Sequence, residues 1–474
     1  MWTGPGRRPL LYVVLVLCFP VIWLYTWDRP MYSRILLSSL PSNAFERPGV
    51  SASRLRTAFA NAPNTSEFGS MGERIAAYAS HIKTLMADTR LSRTSLLNLL
   101  ERDFPWFWPA APIFLPWSAS ATATASAHDT TGLVISVGTG NVVFATHLIR
   151  SLRNVLQSTL PIQIAYSGDA DLSPDGRDQL LQLGPDIEML DLSRSFNGSL
   201  VGLETAGWGQ KPFAMLASRF RKVMLVDADV VFLQNPDRTF ETQPGLVETG
   251  TLFWHDRAFV KDDRSRRDWL RSLMQEKEPS EMLQRSLFWR ANAWQEMESG
   301  VVCLDKGRPE VFMSLVYAAW MNTEVVRTAQ TWQHVHGDKE TYWIAAELSS
   351  TPYHFEADYG GAIGVLETVV GGGIQKGHRI CTSHIAHTDA KRRPFWFNGS
   401  FLFNKASTSL QLADFTHWMT GAEDFPDTPA WDMVHATPEG VMCQYGATAL
   451  PLNGTKYEQL IDDMRHEARN LGWG

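Results

Sequence analysis

The run Val223 to Leu233 (VMLVDADVVFL) constrains this chain more than any other stretch, because it sets two carboxylates, Asp227 and Asp229, inside an otherwise apolar strand. A strand that is apolar on both faces is buried on both faces, as in a parallel sheet covered by helices. A carboxylate in such a place calls for a cation. Residues i and i+2 of an extended segment point to one side, so the pair is expected to face one divalent ion, with the small Ala228 leaving room beside it. Carboxylate and water ligands suit Mn2+ or Mg2+, and an ion held there can bridge a diphosphate and neutralise charge on a leaving group.

The segments before this run alternate in the same sense. LVISVG reads as a buried strand, Val142 to Leu156 as a helix, IQIAYSG as a strand, DGRDQLLQLG as a helix, DIEMLDL as a strand and KPFAMLASRF as a helix. That alternation predicts an α/β fold with a mostly parallel sheet, whose ligand lies beyond the C-terminal strand ends. No G-x-x-x-x-G-K-[ST] or G-x-G-x-x-G phosphate loop is present, which argues against nucleotide hydrolysis and dinucleotide binding. A second D-x-D, Asp169-Ala170-Asp171, follows IQIAYSG; a chain this long should hold roughly one such match by chance. It opens a polar Ser-Pro-Asp-Gly turn, whereas Asp227 and Asp229 lie between buried stretches, so the later copy is the expected metal site.

The N-terminal part reads as appendages. Residues 1–9 form a short tail with Arg7 and Arg8 and no acid, and residues 10–27 are uncharged and nearly all apolar, the length of a minimal membrane-crossing helix. The aromatic end at Trp23, Tyr25 and Trp27 lacks the small residues of a signal-peptide cleavage site, so an uncleaved anchor is expected, with the tail cytosolic and the rest lumenal. Residues 28–68 read as a polar stem, 69–118 as a small helical region ending in a packed aromatic strap (Phe104 to Trp117), 119–131 as a low-complexity linker, and 132–474 as the catalytic domain. Sequons at Asn64, Asn197, Asn398 and Asn453 fit a lumenal chain. Of Cys303, Cys381 and Cys443, two can pair in an oxidising compartment, and the sequence does not choose which. A formal net charge of −7, with no basic stripe, excludes a nucleic-acid partner.

Beyond these local readings, KPFAMLASRFRKVMLVDADVVFLQNPD resembles the core of the fungal α-1,3-mannosyltransferases of glycosyltransferase family 71. ESGVVCLDK (Glu298 to Lys306), HGDKETYWIA (His336 to Ala345) and CTSHIAHTDAKRRPFWFNG (Cys381 to Gly399) resemble it too, so the likeness runs over most of the chain from about Met71. The resemblance implies a GT-A-like nucleotide-sugar-binding fold with a mixed, mostly parallel sheet, and transfer of mannose from GDP-mannose to a mannosylated glycan with retention. It also implies a Golgi type II membrane protein acting in protein glycosylation, and a histidine completing the metal shell, His387 first and His384 second. Lys211 is then expected to point a cation at the diphosphate, and Asp338 to approach the donor sugar or the acceptor. Asp256 and Arg257 suit sugar hydroxyls, or form a structural ion pair. Front-face attack, with the departing phosphate taking the acceptor proton, needs no enzyme base. The same D-x-D would serve a UDP-sugar, and a catalytically dead glycan-binding scaffold would keep the same fold.

The choice between the two D-x-D copies is testable. Asp227→Asn and Asp229→Asn should each abolish metal-dependent sugar transfer in a protein that still folds, and Asp169→Asn should leave most of it, as assayed at limiting Mn2+.

Overall fold

The computed structural model describes residues 65–87, 100, 104–107, 131–259, 263–369, 377–405, 410–421, 431–432 and 441–474. Its spine is a six-stranded sheet built from β1 (Thr131–Ser136), β2 (Ile162–Tyr166), β3 (Ile187–Asp191), β4 (Lys222–Asp227), β6 (Thr251–His255) and β7 (Met297–Asp305), in the order β3-β2-β1-β4-β7-β6. Strands β3, β2, β1 and β4 are parallel, and β7 runs antiparallel between β4 and β6. This is the mixed, mostly parallel α/β sheet that the alternation predicts. All nine residues of β7 and the middle of β1 and β4 are buried, which explains why they read as unbroken apolar runs.

Helices cover the sheet. Among them are α1 (Thr65–Ala87), α2 (Val142–Arg150), α3 (Pro174–Leu181), α4 (Lys211–Ala217), α5 (Ser265–Met274), α6 (Pro309–Met321), α7 (Thr341–Leu348) and α8 (Lys456–Asn470). Every residue of α4 is buried, as it packs on β1, β4 and α6. Helix α3 starts at an N-cap serine, Ser173, with Pro174 next, the residue order that favours a helix start.

Helix α1 begins at Thr65, inside the stretch read as stem, and runs to Ala87 within the expected small helical region. Its buried residues Phe68, Met71, Ile75, Tyr78 and Ile82 recur every three or four positions, and that face packs on α5 and α6. Phe68 sets the register, edge-on to Trp320 at 5.0 Å and to Trp269 at 6.1 Å. The described part of the aromatic strap caps the core: Trp106 lies 5.4 Å from Phe213, and Phe107 forms a bridge with Phe196. The first strand opens at Thr131, the last residue of the expected linker.

The apolar run of the D-x-D is not one strand. β4 ends at Asp227, the chain turns through Ala228 and Asp229, and β5 (Val230–Phe232) joins a different sheet. Its partners are β12 (Pro394–Asn398) and, beyond it, β11 (Ile385–Thr388), after two further strands β8 (Ala362–Gly364) and β9 (Leu366–Val369) and the disulfide-bearing β10 (Gly377–Thr382). The backbone breaks there because Asp229 O accepts from the N–H groups of Gly399 and Ser400 rather than continuing the six-stranded ladder. C-terminal strands β13 (His417–Met419), β14 (Trp431–Asp432), β15 (Met442–Tyr445) and β16 (Ala449–Pro451) complete two small sheets, β14-β15-β10-β9 and β16-β13-β8. Cys381 on β10 faces Cys443 on β15 and is bonded to it, leaving Cys303 as a buried thiol in β7.

No helix among the described residues is long and apolar enough to cross a membrane. The tail, the proposed anchor at 10–27, most of the stem and Asn64 lie outside the described residues.

Close backbone crossings hold the small sheets together. A Cβ on Gly361 would lie 2.0 Å from Met419 O. Gly361→Ala should therefore lower the denaturant midpoint, by about 1–3 kcal/mol of stability. Gly140→Ala, with nothing within 4 Å, should stay within about 0.5 kcal/mol of the parent.

Candidate functional site

Strand β4 delivers Asp227 to the C-terminal edge of the sheet, where α4 delivers Lys211. The helix is wedged against the sheet along its whole length, which holds the Lys211 backbone in place, and the side chain runs inward, 4% exposed. Its Nζ lies 2.6 and 2.9 Å from the two carboxylate oxygens of Asp227, 3.3 Å from Ser299 Oγ and 3.9 Å from Asp338 Oδ1. Burial works against the ammonium charge, but Asp227 and then Asp338 outweigh it, so its pKa is raised and the charge is permanent. Lys211, expected to point a cation at the diphosphate, is thus a buried cation held by Asp227.

Asp229, in the turn, is paired with Lys405, which reaches back from the segment after β12. Asp338, just ahead of α7, is 2% exposed, and its carboxylate meets the Tyr342 hydroxyl. Burial raises its pKa, with Lys211 opposing.

A second knot adjoins the first. Lys339 Nζ donates to Asp256 Oδ2 and to Gln295 Oε1, both at 2.8 Å, and lies 3.4 Å from Glu298 Oε2. Glu298 Oε1 accepts from Gly300 N at 3.0 Å and from Asn398 Nδ2 at 2.9 Å. Although burial disfavours its charge, Lys339, then His387 and Lys211, hold the Glu298 carboxyl down at about 2. Asp256 accepts also from Arg257 N at 2.6 Å. The Arg257 guanidinium, expected beside the donor or paired with Asp256, turns instead to Ser383 O at 3.2 Å and lies 4.9 Å from the centre of the Trp431 ring.

The structure therefore brings Lys211, Asp227, Asp338 and Asp256 into one buried polar network, with Asp229 at its edge. The histidines are placed differently. By register His387 stands opposite Trp396, itself opposite Phe232, and stacks on the Trp396 ring at 4.0 Å. Burial drives its pKa to about 3, and neither ring nitrogen has a hydrogen-bond partner among the described residues. His384 precedes β11, level with Gly399, whose N–H goes to Asp229 O; its Nδ1 meets Thr382 Oγ1 at 2.8 Å. Among the described residues no group of three or more His, Cys, Asp or Glu side chains is placed to share a metal ion. Asp227 and Asp229 have the chemistry of Mn2+ or Mg2+ ligands, but each is engaged by a lysine here, Lys211 and Lys405, and neither His384 nor His387 joins them in a group of three.

Glu298, Lys339 and Lys405 were not assigned roles at sequence level, and Asn398 was read only as a glycosylation acceptor. Its amide nitrogen, the atom a glycan would take, is engaged by Glu298. Nothing in sequence spacing links positions 298 and 398; only the ESG segment signalled that Glu298 belonged with the site. Asn197 caps a short helix, its Oδ1 accepting from Ser199, and Asn453 is exposed before α8. The earlier D-x-D is a structural turn: Asp169 pairs with Arg177 at 2.7 Å, and Asp171 Oδ2 accepts from Ser167 N at 2.8 Å.

Fold and site together define an open-sheet α/β protein with a buried, charge-dense cluster at the strand ends. A family model described as "Mannosyltransferase putative" matches residues 130–389, more than half of the chain, and the chain belongs to that mannosyltransferase family. It is similar to alpha-1,3-mannosyltransferase MNN1 of Saccharomyces cerevisiae, 26% identical over 58% of this chain and 41% of that one. Alpha-1,3-mannosyltransferase MNT3 of the same yeast is 24% identical over 54% of this chain and 44% of its own length. The matches thus span less than half the length of these relatives. The solved structure of core-mannan synthase A from Aspergillus fumigatus in its Mn/GDP form covers 53% of this chain and 77% of its own, at 14% identity and a TM-score of 0.32.

One carboxyl beside the site reports on its burial. Glu340 accepts from Trp343 Nε1 at 2.5 Å and from Glu296 N at 3.0 Å, and burial pushes its pKa up to about 7. A folded pKa above the unfolded one means the folded state binds the extra proton, so Glu340 costs stability progressively as pH rises from about 4.5 to about 7. Glu340→Gln should gain on the parent across that window, seen as a thermal midpoint that compares better with the parent's at pH 8 than at pH 5.

Proposed function

We propose that this chain transfers mannose from GDP-mannose to a mannosylated glycan, with retention and in an α-1,3 linkage. The observation that carries the reading is the buried Lys211–Asp227 pair beside Asp229 at the end of β4, in a chain of the mannosyltransferase family. Asp227 and Asp229 would hold Mn2+ or Mg2+, which when bound neutralises charge on the donor diphosphate. Lys211 keeps a permanent positive charge close by, so the nucleoside diphosphate departs toward a cation as the sugar–oxygen bond breaks.

Four of the carboxylates are engaged by lysines: Asp256 and Glu298 share Lys339, Asp227 pairs with Lys211 and Asp229 with Lys405. This supports front-face attack, in which the acceptor oxygen bonds to the sugar carbon on the side the phosphate leaves and its proton passes to the departing phosphate oxygen. Asp338, set between the Lys211 ammonium and the Tyr342 hydroxyl, is suited to accept from a sugar hydroxyl. We assign the protein to the Golgi membrane, type II, anchored by residues 10–27, with Asn64, Asn197 and Asn453 as glycan acceptors.

The test is sugar release by the full chain from a panel of GDP- and UDP-sugars, with Mn2+ and with EDTA. GDP-mannose turnover abolished by EDTA is the expected result. Turnover of UDP-galactose or UDP-N-acetylglucosamine instead would replace the donor, and Mn2+ binding without any turnover would make the chain a glycan-binding protein that keeps the fold.

A further inference from the structure

Trp208 is 56% exposed, more than any other large apolar side chain among the described residues. It stands in the single turn Gly207–Gln210, directly before Lys211. Its ring is supported from one side only. The His336 ring lies 5.0 Å away at 47°, and Gly337, at φ 64°, comes so close that a Cβ there would sit 3.2 Å from the indole. The two residues that prop the ring lead directly into Asp338, whose Oδ1 is 3.9 Å from Lys211 Nζ and whose buried carboxylate also meets the Tyr342 hydroxyl.

An exposed indole and a buried carboxylate are thus mounted on the same two chain segments, 208–211 and 336–338. Leaving an indole in water forgoes the stabilisation that burying it would bring. A pyranose suits both groups, since it carries an apolar C–H face bounded by hydroxyl donors. An indole accepts the face, and a carboxylate accepts the hydroxyl. The ledge lies in sequence directly beside Lys211 and Asp338, the residues that meet Asp227.

We propose that Trp208, backed by His336 and Gly337, is the stacking platform for the acceptor sugar, which donates a hydroxyl to Asp338. The assignment rests on the glycosyl-transfer reading given above and adds the residue that receives the acceptor. Trp208 is a binding residue and takes no part in bond making.

The experiment is calorimetric titration of α-mannobiose, and separately of GDP with Mn2+, into the full chain as parent, Trp208→Ala, Trp208→Phe and Asp229→Asn. Trp208→Ala should weaken mannobiose about tenfold, and Trp208→Phe by no more than about threefold, because a smaller aromatic face keeps most of the stacking. GDP should bind Trp208→Ala as it binds the parent, and Asp229→Asn should keep mannobiose while losing GDP. Unchanged mannobiose affinity in Trp208→Ala overturns the platform, as does weakened GDP with mannobiose spared, which would make the indole a base-stacking residue. No mannobiose binding by the parent overturns it as well. A parent that binds mannobiose through Trp208 yet turns over no GDP-mannose would refute the donor reading and leave the platform standing.

Discussion

The ammonium of Lys211 is the contact on which the rest of the site depends. A buried charge is tolerated only when it is paired and hydrogen-bonded, and this one is met by Asp227 from β4, Ser299 from β7 and Asp338 from the segment before α7. Four pieces of chain distant in sequence are thereby drawn to one point. Removing any partner would leave charge uncompensated in a place water does not reach, which is far costlier than losing a surface ion pair. The helix that presents Lys211 is buried throughout, so the position of the charge is inherited from hydrophobic packing on β1 and β4.

Around that pair, cations and carboxylates alternate: Lys405 on Asp229, Lys211 on Asp227, Lys339 on Asp256 and Glu298. Three ammonium groups thus serve four carboxylates, with Asp256 and Glu298 sharing Lys339. Asp338 adds a fifth carboxylate, held between Lys211 and the Tyr342 hydroxyl.

The C-terminal strands serve the site from outside. β12 pairs with β5 immediately after the D-x-D, so Asn398 falls opposite Val230, where its amide reaches Glu298. The Cys381–Cys443 bond joins β10 to β15, and the neighbouring strand β14 brings Trp431 under Arg257. Arg257 is therefore a tie between the small sheet and the crevice wall.

Much of this was legible in one dimension. The helix and strand periods of 131–233 matched the observed elements closely, because central strands buried on both faces leave continuous apolar runs that local pattern reading detects. The D-x-D stood out for the same reason, as charge where the pattern demands none. Helix α1 was misjudged at its start, since Thr65 and Ser66 are polar and only packing on α5 and α6 makes that turn worth forming. The sequence by itself thus determined the sheet, its edge and the carboxylates placed there. Tertiary structure alone decided which cation meets which acid, that the D-x-D run breaks between two sheets, that Asn398 serves Glu298, and that Arg257 faces Trp431. Those are contacts between residues tens to more than a hundred positions apart, set by sheet order and strand register, and neither propensity nor local spacing encodes them.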